Sequence, residues 1–198
     1  MAGRIRFLPA QFCKMTDHNF IKKLIERDAS AFQSFYEDYA PYVYAIIKNY
    51  IFDEVYRKDV MQETFAAIFL SVNNYDSSKA AFKTWISRIT VNQCINFLRK
   101  HYRQNMTFNL ELYTEISDSN NNGLHALTKE ELESLLSNMP LGYRTVFLLS
   151  VIDEYDHKEI ATMLNITQET SRSQLMRALA WIRNHIFNTN NALKYEFR

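Results

Sequence analysis

Glycine and proline are scarce in this chain of 198 residues, with three of each. Scarcity on that scale excludes collagen-like and low-complexity architectures. Gly3, Gly123 and Gly142 also lie too far apart to build a phosphate-cradling loop. Two cysteines, Cys13 and Cys94, can form neither a disulfide framework nor a cysteine-rich zinc site. No apolar run approaches the ~18–20 residues that a spanning helix needs, so no membrane insertion is expected. The reducing cytoplasm is the expected compartment. The length suits one ordinary domain or two small ones.

The N-terminus carries Arg4 and Arg6 ahead of Phe7-Leu8-Pro9-Ala10-Gln11-Phe12-Cys13. That apolar stretch is too short for an export leader, is broken by Pro9 and Gln11, and ends at Lys14. Met15, followed by Thr16 and Asp17, is an alternative start, because Thr or Asp caps a helix well. Residues 1–16 are therefore expected to be an extension.

A net charge of +1 hides an uneven distribution. Residues 77–110 hold Lys79, Lys83, Arg88, Arg99, Lys100 and Arg103 and no acid. Residues 111–136 hold six acids and one lysine, and Thr170 to Tyr195 again hold cations without acids. Two basic patches on a neutral chain point to two contacts with a polyanion, although solvated faces would give the same count.

Helical periodicity dominates, and no alternating strand pattern occurs. Asp28 or Ser30 can cap a helix whose apolar face runs Phe32, Phe35, Tyr36, Tyr39, Val43, Ile46, Ile47, Tyr50, with a kink or restart at Pro41. A second helix is expected from near Asp59, with Met61, Phe65, Ile68, Phe69 and Val72 facing inward. A third runs from about Ala81 to Arg103. Residues 105–127, with Asn120-Asn121-Asn122-Gly123 at the centre, have no period and read as an interdomain linker. Helices resume at a capping box, Thr128-x-x-Glu131, and Pro140 ends the first of them. A strongly apolar helix over Arg144 to Ile152 follows. A second capping box, Asp156-x-x-Glu159, opens a short helix through Leu164, and a last helix spans about Gln168 to Phe187. The expected fold is all-α: two small domains, 17–104 and 128–198, the second a helix-turn-helix.

Three surfaces stand out. In the last helix Ser171, Leu175, Ala178, Leu179 and Ile182 are expected to face inward. Thr170, Ser173 and Arg177 are expected to face away, with Arg172 and Gln174 on the flanks. Hydroxyls, an amide and arginines without acids suit a major groove. Upstream, Arg88, Asn92, Asn96, Arg99 and Arg103 recur at helical spacing opposite Val91, Ile95, Leu98 and Tyr102. Arginines neutralise phosphates and aromatic rings stack on unpaired bases, so this face suits DNA as it opens. Trp85 is either core or a stacking ligand. The helix near Asp59 turns Asp59, Glu63, Ala66, Ala67 and Leu70 outward, a mixture that suits a protein interface. His101 sits among cations, and Asp153, Glu154, Asp156 and His157 lack metal-ligand spacing. No metal, cofactor or catalytic residue is expected.

These residues resemble the extracytoplasmic-function (ECF) sigma factors of bacterial RNA polymerase, in the sigma-70 family, over about residues 17–187. Asp59-x-x-Gln62-Glu63-Thr64-Phe65 is similar to the family helix that grips the clamp coiled coil of the largest polymerase subunit. The resemblance implies polymerase contacts at Asp59, Gln62, Glu63, Ala66 and Leu70. Phe82-Lys83-Thr84-Trp85-Ile86-x-Arg88-Ile89, with Asn92 and Asn96-Phe97-Leu98-Arg99, resembles the segment that melts and reads the minus-ten element. It implies contacts at Lys83, Trp85, Arg88, Asn92, Asn96, Arg99, Lys100 and Arg103. Glu159-Ile160-Ala161 through Gln174-Leu175-x-Arg177-Ala178 resembles the helix-turn-helix that reads the minus-thirty-five element. It implies contacts at Thr170, Arg172, Ser173, Gln174 and Arg177. Ser171 stands where the family most often has valine, and Asn165 where glycine is usual; asparagine tolerates the left-handed conformation.

The resemblance implies a transcription initiation factor, not an enzyme. Its partners would be core RNA polymerase, promoter DNA and, for some members, an anti-sigma factor. Two rival readings are a stand-alone helix-turn-helix regulator, which would bind duplex DNA without polymerase, and a helical adaptor that binds no DNA.

Overall fold

The computed structural model describes residues 18–101 and 129–195. The extension 1–16, Tyr102, Arg103, the linker 105–127 and Thr128 of the first capping box lie outside the described residues. Eight α-helices and no strand occur among the described residues. The chain divides into two compact units, residues 1–97 and 98–198.

In the first unit, α1 (His18–Ile25) leads into α2 (Ala29–Tyr50), α3 (Glu54–Ser71) and α4 (Phe82–His101), whose last turn lies beyond the boundary at Phe97, with a 3-10 turn at Val72–Asn74. Asp28 caps α2: its carboxylate accepts from the Ala31 N–H at 2.8 Å and from the Ser30 hydroxyl at 2.6 Å. The Ser30 bond first, then the Ala31 bond, hold the Asp28 carboxyl below its ordinary pKa. Arg27 adopts a left-handed φ of 60° in the α1–α2 turn. Its guanidinium lies 4.5 Å from the centroid of the Phe69 ring, which ties that turn to α3. Helix α2 runs through Pro41 without restarting, and Pro41 is exposed where its missing N–H harms least.

The core of this unit is aromatic. Phe35, Tyr39, Tyr50 and Phe82 are buried. Phe35 meets Phe65 and Phe82 at centroid distances of 5.7 and 6.0 Å, and Phe82 meets Tyr39 at 6.0 Å. Edge-on and tilted contacts of this kind add to the area that the rings bury.

Helix α3 begins five residues earlier than the sequence pattern suggests. Asp53 is its N-cap and accepts from the Val55 N–H at 3.0 Å. The early turn is hard to recognise because a charged residue, Arg57, takes an inward position and is only 6% exposed. Its guanidinium donates to the carbonyls of Ile51 at 2.8 Å and Phe52 at 2.7 Å, and to the Glu54 carboxylate at 2.8 Å. Those bonds satisfy backbone acceptors left by the end of α2, which makes the burial of a cation tolerable.

The second unit holds α5 (Lys129–Asn138), α6 (Leu141–Phe147), α7 (His157–Leu164) and α8 (Gln168–Tyr195). Pro140 separates α5 from α6. Helix α6 continues as a π-helical turn, Leu148–Ile152. Helices α6 and α7 both pack on α8. The capping box is present: Asp156 accepts from the Lys158 and Glu159 N–H groups, and Glu159 accepts from the Asp156 N–H. Asn165 closes α7 with φ 55° and ψ 50°, the left-handed conformation expected of it. The Ile166 N–H then donates back to the Ala161 carbonyl at 3.0 Å, which fixes the tight turn. Thr167 starts α8 by accepting from the Thr170 N–H at 3.1 Å. The helix extends to Tyr195, beyond the expected end at Phe187.

Candidate functional site

Helix α3 has two sharply different faces. Arg57, Val60, Thr64 and Ile68 are buried at spacings of three, four and four residues. At 100° per residue, Val55, Asp59, Gln62, Ala66 and Leu70 fall on the opposite side. Asp59, Gln62, Glu63 and Ala66 are exposed, and Leu70 is 69% exposed. Val55, which the sequence pattern does not single out, is 75% exposed and extends this stripe by one turn. The early start of α3 is what adds it. Two bare aliphatic side chains at the ends of an acidic and amide stripe cost solvation unless a partner covers them.

Helix α4 separates its faces as cleanly. Ile86, Thr90, Val91, Cys94, Ile95, Phe97 and Leu98 are buried. Arg88, Asn92, Asn96, Arg99, Lys100 and His101 are exposed. The expected packing residues Val91, Ile95 and Leu98 are thus in place. Lys83, in the first turn, is exposed, and its ammonium lies 4.7 Å from the centroid of the Tyr42 ring. Partial burial there lowers its pKa below the ordinary lysine value.

Trp85 belongs wholly to neither of its two expected environments. Its ring stacks on Phe82 with 5.6 Å between centroids and 14° between planes, and meets Tyr75 at 5.4 Å. The residue nevertheless stays half-exposed. One side supports the core while the rest of the residue reaches solvent.

Helix α8 is rotated from the expected orientation. Ser171, Gln174, Ala178 and Trp181 are buried at spacings of three, four and three residues. Gln174, expected on the flank of a DNA-reading surface, is 1% exposed, so it is not a surface contact. Leu175 and Ile182 are half-buried, and Leu179, expected inside, is 40% exposed. Helices α6 and α7 pack on α8, whose buried side carries the small Ser171 and Ala178 together with Gln174. Small residues there are compatible with a close approach of helices. Arg172 and Ser173 are exposed, while Thr170 and Arg177 are half-buried at one edge. Glu169 lies 3.8 Å from Arg172. Its own backbone N–H first, then the Thr167 hydroxyl, hold the Glu169 carboxyl below the ordinary range.

Among the described residues, no group of three or more His, Cys, Asp or Glu side chains could hold a metal ion. Asp156 is occupied as a cap, and His157 Nδ1 lies 2.8 Å from the Ser171 hydroxyl. No described helix is long and apolar enough to cross a membrane.

These surfaces coincide with two family matches. The sigma-70 region 2 model matches residues 35–104, and the sigma-70 region 4 model matches residues 129–182, together more than half of the chain. The ECF RNA polymerase sigma factor SigM of Bacillus subtilis is 28% identical over 145 residues, covering 72% of this chain and 87% of that protein. The ECF RNA polymerase sigma-E factor of Haemophilus influenzae is 25% identical over 186 residues, covering 87% of this chain and 96% of that protein. Among solved structures, the sigma factor RpoE in complex with the anti-sigma factor NepR from Bartonella quintana aligns with a TM-score of 0.49 at 15% identity, covering 77% of this chain and 94% of that one.

The chain belongs to the sigma-70 family, and the relatives named here are of its ECF type. It is a polymerase-associated transcription initiation factor, not a stand-alone helix-turn-helix regulator.

Proposed function

We propose that the three exposed helical faces divide the work of initiation. The α3 stripe of Asp59, Gln62, Glu63, Ala66 and Leu70, extended by Val55, binds core polymerase. Lys83, Trp85, Arg88, Asn92, Asn96, Arg99 and Lys100 of α4, with Arg103 beyond it, meet the minus-ten element as it opens. Thr170, Arg172, Ser173 and Arg177 of α8 meet the minus-thirty-five duplex. Residues 17–104 form the polymerase and minus-ten domain, 105–127 the linker, and 128–198 the minus-thirty-five domain. The chain itself performs no bond chemistry; polymerase supplies it. Its place of work is the cytoplasm, where polymerase meets the chromosome, and an anti-sigma factor is the proposed regulatory partner.

One observation carries this reading best. Helix α4 presents Arg88, Asn92, Asn96, Arg99 and Lys100 to solvent along a helix that contains no acid. Cations there neutralise phosphate, and amides can accept or donate to unpaired base edges. Trp85 adds a ring held on one side by Phe82, so stacking a base on its open side costs little ordering.

Site-specific photocrosslinking tests the assignment. A photoreactive side chain at Asn92 should crosslink to the promoter's minus-ten region in the assembled holoenzyme, and only when core polymerase is present. Crosslinking confined to polymerase subunits would overturn the α4 assignment.

A further inference from the structure

Helix α8 carries on its outward side an apolar side chain with no evident task in the fold. Met176 is 58% exposed. With Gln174, Ala178 and Trp181 pointing in, Met176 lies about 180° from the buried seam at 100° per residue. Arg172 stands one turn before it and Arg183 two turns after it on the same outward strip, and Ser173 lies beside it; all three are exposed. Glu169 is the only acid on this helix, and Arg172 lies within ion-pair distance of it.

A thioether cannot read the donor and acceptor pattern of a base edge, since its sulfur is at best a weak acceptor. It can bury apolar surface, and its unbranched chain adapts to the shape it meets. In the major groove, the apolar feature that differs between base pairs is the thymine 5-methyl group. We infer that Met176 is a specificity-determining residue that reads a thymine methyl in the minus-thirty-five element, between phosphate contacts made by Arg172 and Arg183. The inference rests on the proposed role of α8 and adds a base class to it.

The test removes one methyl group from the DNA. Holoenzyme assembled from the full chain and core polymerase selects duplexes from a random-sequence pool. The strongest binder is then resynthesised with deoxyuridine in place of each thymine in its minus-thirty-five half. Wild-type holoenzyme should lose about four-fold in affinity at one position, equivalent to ~0.8 kcal/mol and to burial of one methylene-sized group. Met176→Ala should bind the thymine duplex as the wild type binds the uracil duplex, and should show no further loss on substitution. Its melting temperature should match the wild type, because the side chain is mostly in water. Equal losses for wild type and variant would overturn the inference while leaving α8 as the reading helix. So would a selected element with no thymine. If scrambling the minus-thirty-five half leaves wild-type affinity unchanged, the α8 assignment itself fails, and the inference with it.

Discussion

The imidazole Nδ1 of His157, in the first turn of α7, lies 2.8 Å from the hydroxyl of Ser171, a wholly buried residue of α8. This bond joins the two helices of the helix-turn-helix. It gives a physical reason for serine where the resemblance would put valine. Ser171→Val should fill the site but leave the imidazole without its partner, at a cost of ~1 kcal/mol. His157→Phe with Ser171→Val should recover part of that loss. Thermal melts of the full chain in a double-mutant cycle measure the coupling; a cycle that closes at zero would contradict it.

Gln174 offers a sharper check on the orientation of α8. Its Oε1 is buried without a hydrogen-bond partner, and an unsatisfied buried acceptor typically costs ~1–3 kcal/mol. Gln174→Met keeps the volume and removes that acceptor. The variant should be at least as stable as the wild type and should bind the minus-thirty-five duplex unchanged. Lost binding at unchanged stability would put Gln174 back on the reading surface.

Both checks bear on what could be read in advance. The capping box at Asp156, the left-handed turn at Asn165 and the packing face of α4 were all legible, because each depends on neighbouring residues in the chain. The rotation of α8 was not. Leu175 and Leu179 look like core residues by composition, and Gln174 looks like surface. Which side faces α6 and α7 depends on where small residues allow close approach, a property of the packed unit rather than of the helix. The start of α3 was hidden for a related reason. Arg57 breaks the apolar pattern, and its partners, the carbonyls of Ile51 and Phe52, are backbone groups that no residue pattern marks.

Arg57 should matter accordingly. Arg57→Met keeps the length and apolarity of the stem but strands two carbonyls, and should cost about 1–3 kcal/mol in chemical denaturation. Because this bond set anchors the first turn of α3, the variant should also bind core polymerase more weakly at temperatures where it is fully folded. Unchanged stability would show that water replaces the guanidinium.

The α3 surface is tested by charge. Asp59→Lys with Glu63→Lys should leave the helical content intact and weaken core binding by ~1–2 kcal/mol or more, the cost of losing anchors in such an interface. Val55→Ser should weaken it to a smaller degree. Affinity titrations against core polymerase, with circular dichroism as the folding control, give both answers. Unchanged affinity of the double variant would remove this face from the interface.

The α4 surface is tested by salt. Arg99→Ala should lower the slope of log affinity against log salt for promoter binding by about 0.9 if one phosphate contact is lost. A weaker complex with an unchanged slope would assign Arg99 to a base or to protein instead.

Acid should weaken the α2 cap. Asp28 has its pKa lowered by the bonds from Ser30 and Ala31. Its stabilising contribution is therefore present above the ordinary carboxylate pKa and is lost as pH falls through the lowered value. Asp28→Asn keeps a capping oxygen without the charge, so its stability deficit at neutral pH should shrink on acidification. A deficit that does not change with pH would assign the effect to something other than the carboxylate.

The most direct measurement is reconstituted transcription. Purified chain and purified core polymerase are combined on a promoter selected by the holoenzyme, and run-off RNA is mapped to its 5′ end. The account predicts a single start site downstream of the selected elements, present only when both proteins are added and lost with the Asp59→Lys, Glu63→Lys variant. Tight binding of the chain alone to that duplex, with no association with core polymerase and no dependent transcript, would contradict it.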